Sequence, residues 1–107
     1  MICFIKVIRW LPAQGMAIFP LILIKEDSDY KNEQLINHEK IHLQQQLELL
    51  ILPFYLLYLG NYLVNLIIYK SHNQAYRNIV FEREAFVNDD TKNYLETRRF
   101  YSWLQYI

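Results

Sequence analysis

Residues 35–43 read Leu-Ile-Asn-His-Glu-Lys-Ile-His-Leu and contain two histidines that flank a glutamate. His38 and His42 are four residues apart, so on an α-helix their side chains project from one face, one turn above the other. Two imidazoles placed in this way can bind one zinc ion at about 2.0 to 2.1 Å. Glu39 is rotated by about 100° from His38 around the helix axis, which sets it beside the ion. The stretch therefore predicts a zinc-binding helix with Glu39 as a general base.

The flanking sequence supports a helix here. Asn32 can cap its first turn, and apolar residues recur at helical spacing along it, at Ile36, Leu43, Leu47 and Leu50. Pro53 should end or kink the helix just before itself, because proline lacks an amide hydrogen and its ring clashes with the preceding turn.

Upstream, residues 2–9 and 17–25 are rich in Ile, Val, Phe and Leu, and a turn-like segment at 11–15 separates them. This pattern predicts a β-hairpin. Downstream we expect a very apolar helix from Pro53 to about Tyr69, a third helix capped at Ser71 and reaching Asn88, and a fourth after Thr91. The expected fold is α+β, a small N-terminal hairpin or sheet packed on three to four helices. The length of 107 residues suits a single domain over residues 1–107.

The segment 49–69 has the length of a membrane span and almost no charge, although Pro53, Gly60, Asn61 and Asn65 interrupt it. Two interpretations are open: membrane contact, or a nearly all-buried helix in the core. We favour the buried helix, because a helix buried on all sides is expected to be apolar all round.

The composition limits which partners and which metal ligands can be expected. Eleven basic and eleven acidic residues give a net charge of zero, so a nucleic-acid partner is not expected. Cys3 is the only cysteine, which excludes an intrachain disulfide and leaves His and carboxylates as metal ligands. The run from Met16 to Ile24 leads into charged residues without a small-residue cleavage site, and we interpret it as mature sequence of a cytoplasmic protein, with membrane association as the alternative.

A catalytic zinc ion needs a third protein ligand and an open fourth position. We choose Glu84, because the spacing of Tyr76, Val80, Glu84 and Asn88 predicts one inward helical stripe. Glu82 lies about 160° away around that helix, so only one of the two carboxylates can face the ion. With Arg83, Glu82 is interpreted as a surface ion pair. Asn88 could accept a hydrogen bond from the free ring nitrogen of a liganding histidine.

With His38, Glu39, His42 and Glu84, the chain resembles the gluzincin group of zinc metallopeptidases, and especially its minimal members, the minigluzincins. Asn88 departs from the pattern, since larger members usually have an acidic residue there. The resemblance implies that the strand from Ala17 to Ile24 is an edge that pairs with an extended peptide. It also implies an oxyanion stabiliser, for which the candidates are Tyr76, Tyr94, Arg77 and His72.

The leading hypothesis is a zinc-dependent metallopeptidase, an enzyme that hydrolyses peptide bonds of a peptide or protein substrate through a zinc-bound water, with Glu39 as general base. The first alternative is a catalytically inactive, zinc-stabilised binding or interaction module, in which the metal supports the fold of a small domain. A third hypothesis is a membrane-associated protein that contacts lipid through residues 49–69.

Overall fold

The computed structural model describes residues 3–107; Ile2, where the first strand was predicted to begin, lies outside the described residues. The strands are β1 (Phe4–Val7), β2 (Gly15–Ile18) and β3 (Leu21–Ile24). The helices are α1 (Glu33–Glu48), α2 (Leu52–Tyr69), α3 (His72–Arg77), α4 (Val80–Asn88) and α5 (Tyr94–Thr97), with short 3-10 helices at Asp27–Lys31 and Ser102–Tyr106. The predicted α+β class, with an N-terminal sheet packed on helices, is confirmed.

The strand pairing differs from the predicted hairpin. The sheet order is β1-β3-β2, with β1 parallel to β3 and β2 antiparallel to it. The segment predicted as one strand from Ala17 to Lys25 contains a turn at Phe19 and Pro20, and the hairpin is formed by β2 and β3 on either side of it. Proline favours such a turn, since its φ angle is fixed and it has no amide hydrogen for a sheet ladder. The edge strand is therefore β2, and β3 is the central strand.

Helix α1 lies between the sheet and α4. Leu43 faces the sheet and packs with Ile22 and Ile24 in a fully buried cluster. Leu47 and Leu50, expected on the same apolar face, are exposed instead. The Asn32 side chain accepts a hydrogen bond from the Leu35 amide at 3.1 Å, which confirms the predicted cap.

Helix α1 ends four residues earlier than the predicted boundary just before Pro53. The helix stops at Glu48, and Pro53 lies in the first turn of α2, where its missing amide hydrogen breaks no helical bond. Leu50 and Ile51, between the two helices, have positive φ angles of 59° and 70°. A positive φ angle is unfavourable for residues with bulky side chains, so the packing of α1 and α2 must hold this tight connection in place.

The predicted third helix is two helices, α3 and α4. Ser71 caps α3 as expected, and its hydroxyl accepts a hydrogen bond from the Gln74 amide. The break falls at Ile79, whose backbone is extended and whose side chain is fully buried. The Asn61 side chain of α2 accepts a hydrogen bond from the Val80 amide at 2.8 Å, so a tertiary contact satisfies the start of α4.

Helix α2 is not buried on all sides, so the favoured interpretation of this segment is wrong. Its 18 residues are long and apolar enough to cross a membrane by length and composition, and only 11% of them are buried. The inner side packs on the domain through Phe54, which forms a second cluster with Ile79 and Phe81. The opposite side carries exposed Leu, Val and Ile side chains.

Two leucines of α1 provide a matched test of this arrangement. Leu43→Ala should lower the free energy of unfolding by about 2–5 kcal/mol, because it opens a cavity beneath the sheet. Leu47→Ala, one turn further on and 39% exposed, should change it by less than about 1 kcal/mol. Urea unfolding followed by circular dichroism measures both, and equal losses would contradict the described packing of α1.

Candidate metal centre

Three potential metal ligands converge between α1 and α4. The Nε2 atoms of His38 and His42 lie 3.2 Å apart, and Oε1 of Glu82 lies 3.0 Å from the first and 2.9 Å from the second. All three side chains are buried. Three atoms that each carry a lone pair repel one another at these distances unless a positive charge is shared among them. This group could therefore hold a metal ion, or a proton in its place.

The other ring nitrogens of both histidines have fixed partners. Nδ1 of His38 lies 3.0 Å from Oδ2 of Asp89, a carboxylate that can only accept, so this nitrogen carries the hydrogen. Nδ1 of His42 lies 2.7 Å from Oε1 of Gln45. The Gln45 amide nitrogen donates to the Phe81 carbonyl and to Glu84, which leaves the amide oxygen for His42. Both imidazoles are thereby oriented with Nε2 towards the centre, as metal-binding histidines require.

Charge at the centre is carried by Glu82. Burial acts to raise its pKa, but His42 and His38 outweigh burial and hold the pKa of this carboxyl well below its usual range. The Tyr58 hydroxyl donates to its second oxygen at 2.5 Å. Burial acts to lower the pKa of His42, and the Glu82 carboxylate outweighs that effect and raises it to about 9. A metal ion at this centre would thus displace a proton from His42.

Glu39 lies beside the centre rather than in it. Burial raises the pKa of its carboxyl group, and the neighbouring histidines oppose that shift without cancelling it. A Cβ atom built on Gly15 of β2 would come within 3.3 Å of a Glu39 carboxylate oxygen. The absence of a side chain at Gly15 therefore lets the edge strand pass close to this carboxylate.

Two cavities flank Glu39, with volumes of about 270 and 330 Å³. The first extends between β2 and α2 and has an apolar, aromatic wall that includes Phe54, Tyr55 and Tyr58. The second extends along α1 towards His38 and Asp89. Both cavities are lined by Ala13, Gly15, Glu39 and Tyr76. Together they form a cleft that follows the free edge of β2 and passes over the candidate base.

Of the four candidates for an oxyanion stabiliser, Tyr76 is the one that lines this cleft. Tyr94 donates to Glu84, His72 lies 2.7 Å from the Tyr62 hydroxyl oxygen, and Arg77 lies over the Phe86 ring. Burial, together with the nearby Glu82 carboxylate, raises the pKa of Tyr76, so its hydroxyl stays protonated and able to donate.

Glu84 is placed elsewhere. It is fully buried, and its carboxylate accepts hydrogen bonds from Arg98, Tyr94 and Gln45. Arg98 also binds Glu48 through two nitrogens, so an ion-pair network ties the C-terminal segment to α1 and α4. Burial acts to raise the pKa of Glu84, but the hydrogen bonds from its partners hold it below its usual value.

The carboxylate that meets the histidines is Glu82, which the sequence had suggested was part of a surface ion pair. The predicted stripe failed because Tyr76 and Val80 lie on opposite sides of the break at Ile79, so the helical phase of one does not carry over to the other. Within α4, residues two positions apart, such as Glu82 and Glu84, point in directions about 160° apart around the helix axis. Glu82 faces the two histidines of α1, whereas Glu84 faces Arg98 of the C-terminal segment and Gln45.

Asn88 does not contact a histidine. Its side chain donates to the Glu84 carbonyl and to the Tyr106 hydroxyl, and Asp89 has the role that was predicted for it.

One sequence signal could have identified the face of α4 that contacts the histidines. Glu82, Phe86 and Asp89 recur at i, i+4 and i+7, the spacing of one helical face, and all three approach His38.

No family model, no curated protein and no solved structure matches the chain.

Replacing each glutamate with its isosteric amide separates the two candidate ligands. Glu82→Gln should weaken metal binding by more than about 100-fold, because it removes the charged ligand. Loss of a residue that only orients a ligand weakens binding less, by about 10- to 100-fold. Glu84→Gln should affect metal binding far less but destabilise the fold, since it leaves buried Arg98 short of a partner. Competition titration with a chromophoric chelator measures the affinity, and thermal unfolding the stability. A greater loss of affinity in Glu84→Gln would contradict the described centre.

Proposed function

We propose that this chain is a zinc-dependent metallopeptidase that hydrolyses peptide bonds, with His38, His42 and Glu82 as the protein ligands. The observation that carries the proposal is the convergence of these three side chains next to a cleft lined by Glu39. Tetrahedral zinc with bonds of about 2.0 to 2.1 Å places neighbouring ligand atoms about 3.3 Å apart. The separations of 2.9 to 3.2 Å are close to that value and need only small adjustments on binding.

The donor set suits a catalytic rather than a closed structural site. Three protein ligands leave a fourth position for water and substrate, as in known catalytic zinc sites. Bound there, zinc would supply a Lewis acid that polarises a peptide carbonyl and lowers the pKa of a coordinated water to about 7. Outer partners such as Asp89 and Gln45 orient the histidines and increase their basicity.

Glu39 is the proposed general base. As the water oxygen bonds to the peptide carbonyl carbon, its proton passes to the Glu39 carboxylate, and the same proton goes to the amine nitrogen when the C–N bond breaks. Burial raises the pKa of this carboxyl group, which favours the uptake of the proton by the Glu39 carboxylate. Tyr76 is the proposed oxyanion stabiliser, since its hydroxyl can donate to the carbonyl oxygen as negative charge develops there.

The free edge of β2 is the proposed binding site for the peptide backbone. Gln14 accepts a hydrogen bond from Lys25 of the neighbouring chain segment, so in an antiparallel ladder the polar groups of Gly15 and Ala17 point away from β3 and towards the cleft. The Ala17 carbonyl already accepts from Gln46 and Tyr55, which leaves the backbone groups of Gly15 and the Ala17 amide for an extended substrate.

The base is tested with Glu39→Gln. Zinc-loaded wild type should hydrolyse a quenched fluorescent peptide library, and the variant should be slower by about 100-fold or more, the range expected for loss of a general base. Equal zinc content and thermal stability of the two proteins provide the control. Equal rates would contradict the proposal, and unfolding by a chelator with no hydrolysis in any assay would favour a zinc-stabilised binding module.

Tyr76→Phe tests the oxyanion stabiliser. Loss of one such donor should reduce kcat by about 100-fold or more with little change in KM, because the hydroxyl acts mainly on the charge of the transition state. Tyr62→Phe is the matched control, since the Tyr62 hydroxyl contacts His72 rather than the cleft. If the two variants have the same kcat, Tyr76 does not have this role.

A further inference from the structure

The side of α2 that faces away from the domain is a continuous apolar surface, which we call the outer face. Its residues are each between 50% and 77% exposed: Leu52, Leu56, Leu57, Leu59, Leu63, Val64, Ile67 and Ile68. From Leu59 to Ile68 they extend over about 180° of the helix circumference. Eighteen residues also make the helix about 27 Å long. Soluble proteins rarely leave an apolar patch of this extent in water, so it indicates a partner.

We propose that the outer face docks on a lipid bilayer, with α2 lying in the plane of the membrane surface. The charges around the helix fit this partner. Between residues 49 and 81 there is no Asp or Glu, whereas Lys70 at the end of α2 is exposed. An apolar helix face with no acidic residue along it and a basic residue at its end is complementary to anionic lipids, because the bilayer takes up the apolar side chains and the headgroups attract the cation.

A membrane-spanning orientation fits poorly with the inner side of α2. Asn61 accepts a hydrogen bond from the Val80 amide, Asn65 donates to the Ala75 carbonyl at 3.1 Å, and Tyr58 donates to Glu82. These bonds attach the middle of the helix, from residue 58 to residue 65, to the rest of the domain. A spanning helix would have to break them and expose polar side chains to hydrocarbon, which is unfavourable.

A second copy of the chain also fits less well. A helix that packs on another helix buries a stripe of roughly 100°, whereas the outer face is nearly twice as wide. Dimerisation through α2 alone would therefore leave apolar flanks in water. A bilayer covers the whole exposed half of the helix without this difficulty.

Docking would also define the substrate, and this step rests on the proposed function. The inner side of α2 contributes Phe54, Tyr55 and Tyr58 to the cleft wall. The cleft and the bilayer are then separated by a single helix of about 10 Å diameter. The substrate class that follows is peptide segments held at a membrane surface.

Flotation with vesicles of phosphatidylcholine and phosphatidylglycerol tests the docking step. Wild type should float with the vesicles, and the combined Leu56→Gln, Leu63→Gln and Ile67→Gln variant should bind at least about tenfold more weakly. The matched control removes exposed apolar residues outside α2, with Phe4→Gln, Trp10→Gln and Val87→Gln combined, and should bind as wild type does.

Three results would overturn the docking proposal. The first is that the wild type does not float with the vesicles. The second is that bound protein resists extraction with alkaline carbonate, which indicates a spanning helix. The third is that light scattering in vesicle-free buffer shows a dimer for the wild type and a monomer for the α2 variant. Unchanged circular dichroism of both variants shows that a loss of binding is not a loss of fold.

The substrate class is tested with one cleavable peptide, prepared free and with a palmitoyl chain that anchors it to vesicles. Wild type should hydrolyse the anchored peptide faster than the α2 variant does, whereas both proteins should hydrolyse the free peptide equally. Hydrolysis of neither peptide would contradict the proposed function while leaving docking intact. Equal rates of the two proteins on the anchored peptide would contradict only the substrate class.

Discussion

The fold depends on one constraint, the meeting of His38, His42 and Glu82 within 3.2 Å in the interior of the domain. Such a cluster is stable only with a positive charge among its atoms, because three uncompensated lone pairs repel one another and water is largely excluded. This requirement joins α1 to α4. A positive charge at the centre, whether a metal ion or a proton, therefore contributes to folding, and binding of a metal ion there would be linked to stability.

A second buried network surrounds the first. Arg98 brings a cation between Glu48 and Glu84, and Gln45 connects Glu84 to His42 through its two polar atoms. Buried charges are tolerated only when every partner is present. The C-terminal segment that carries Arg98 is thus required for the arrangement of α1 and α4. Through Gln45 it also contributes to the orientation of His42 in the candidate metal centre.

The two sides of helix α2 differ in the contacts that they make. The inner side provides aromatic rings to the cleft and hydrogen bonds to α3 and α4, while the outer side offers only aliphatic groups. Polar residues such as Asn61 and Asn65 are therefore not interruptions of a membrane span but contacts to the domain. The average hydropathy of a segment does not distinguish these sides, because it ignores the direction in which each side chain points.

Interactions between neighbouring residues were enough to determine part of this structure. The helical position of His38, Glu39 and His42, the caps at Asn32 and Ser71 and the break before Pro53 follow from interactions among neighbouring residues, so the sequence alone determined them. The choice of Glu82 over Glu84, the parallel pairing of β1 with β3 and the exposure of α2 depend on contacts between distant segments. Only the tertiary structure decided these, because the extended backbone at Ile79 separates the helical phase of α4 from that of α3, and because spacing groups residues on one face of α4 without showing which element that face contacts.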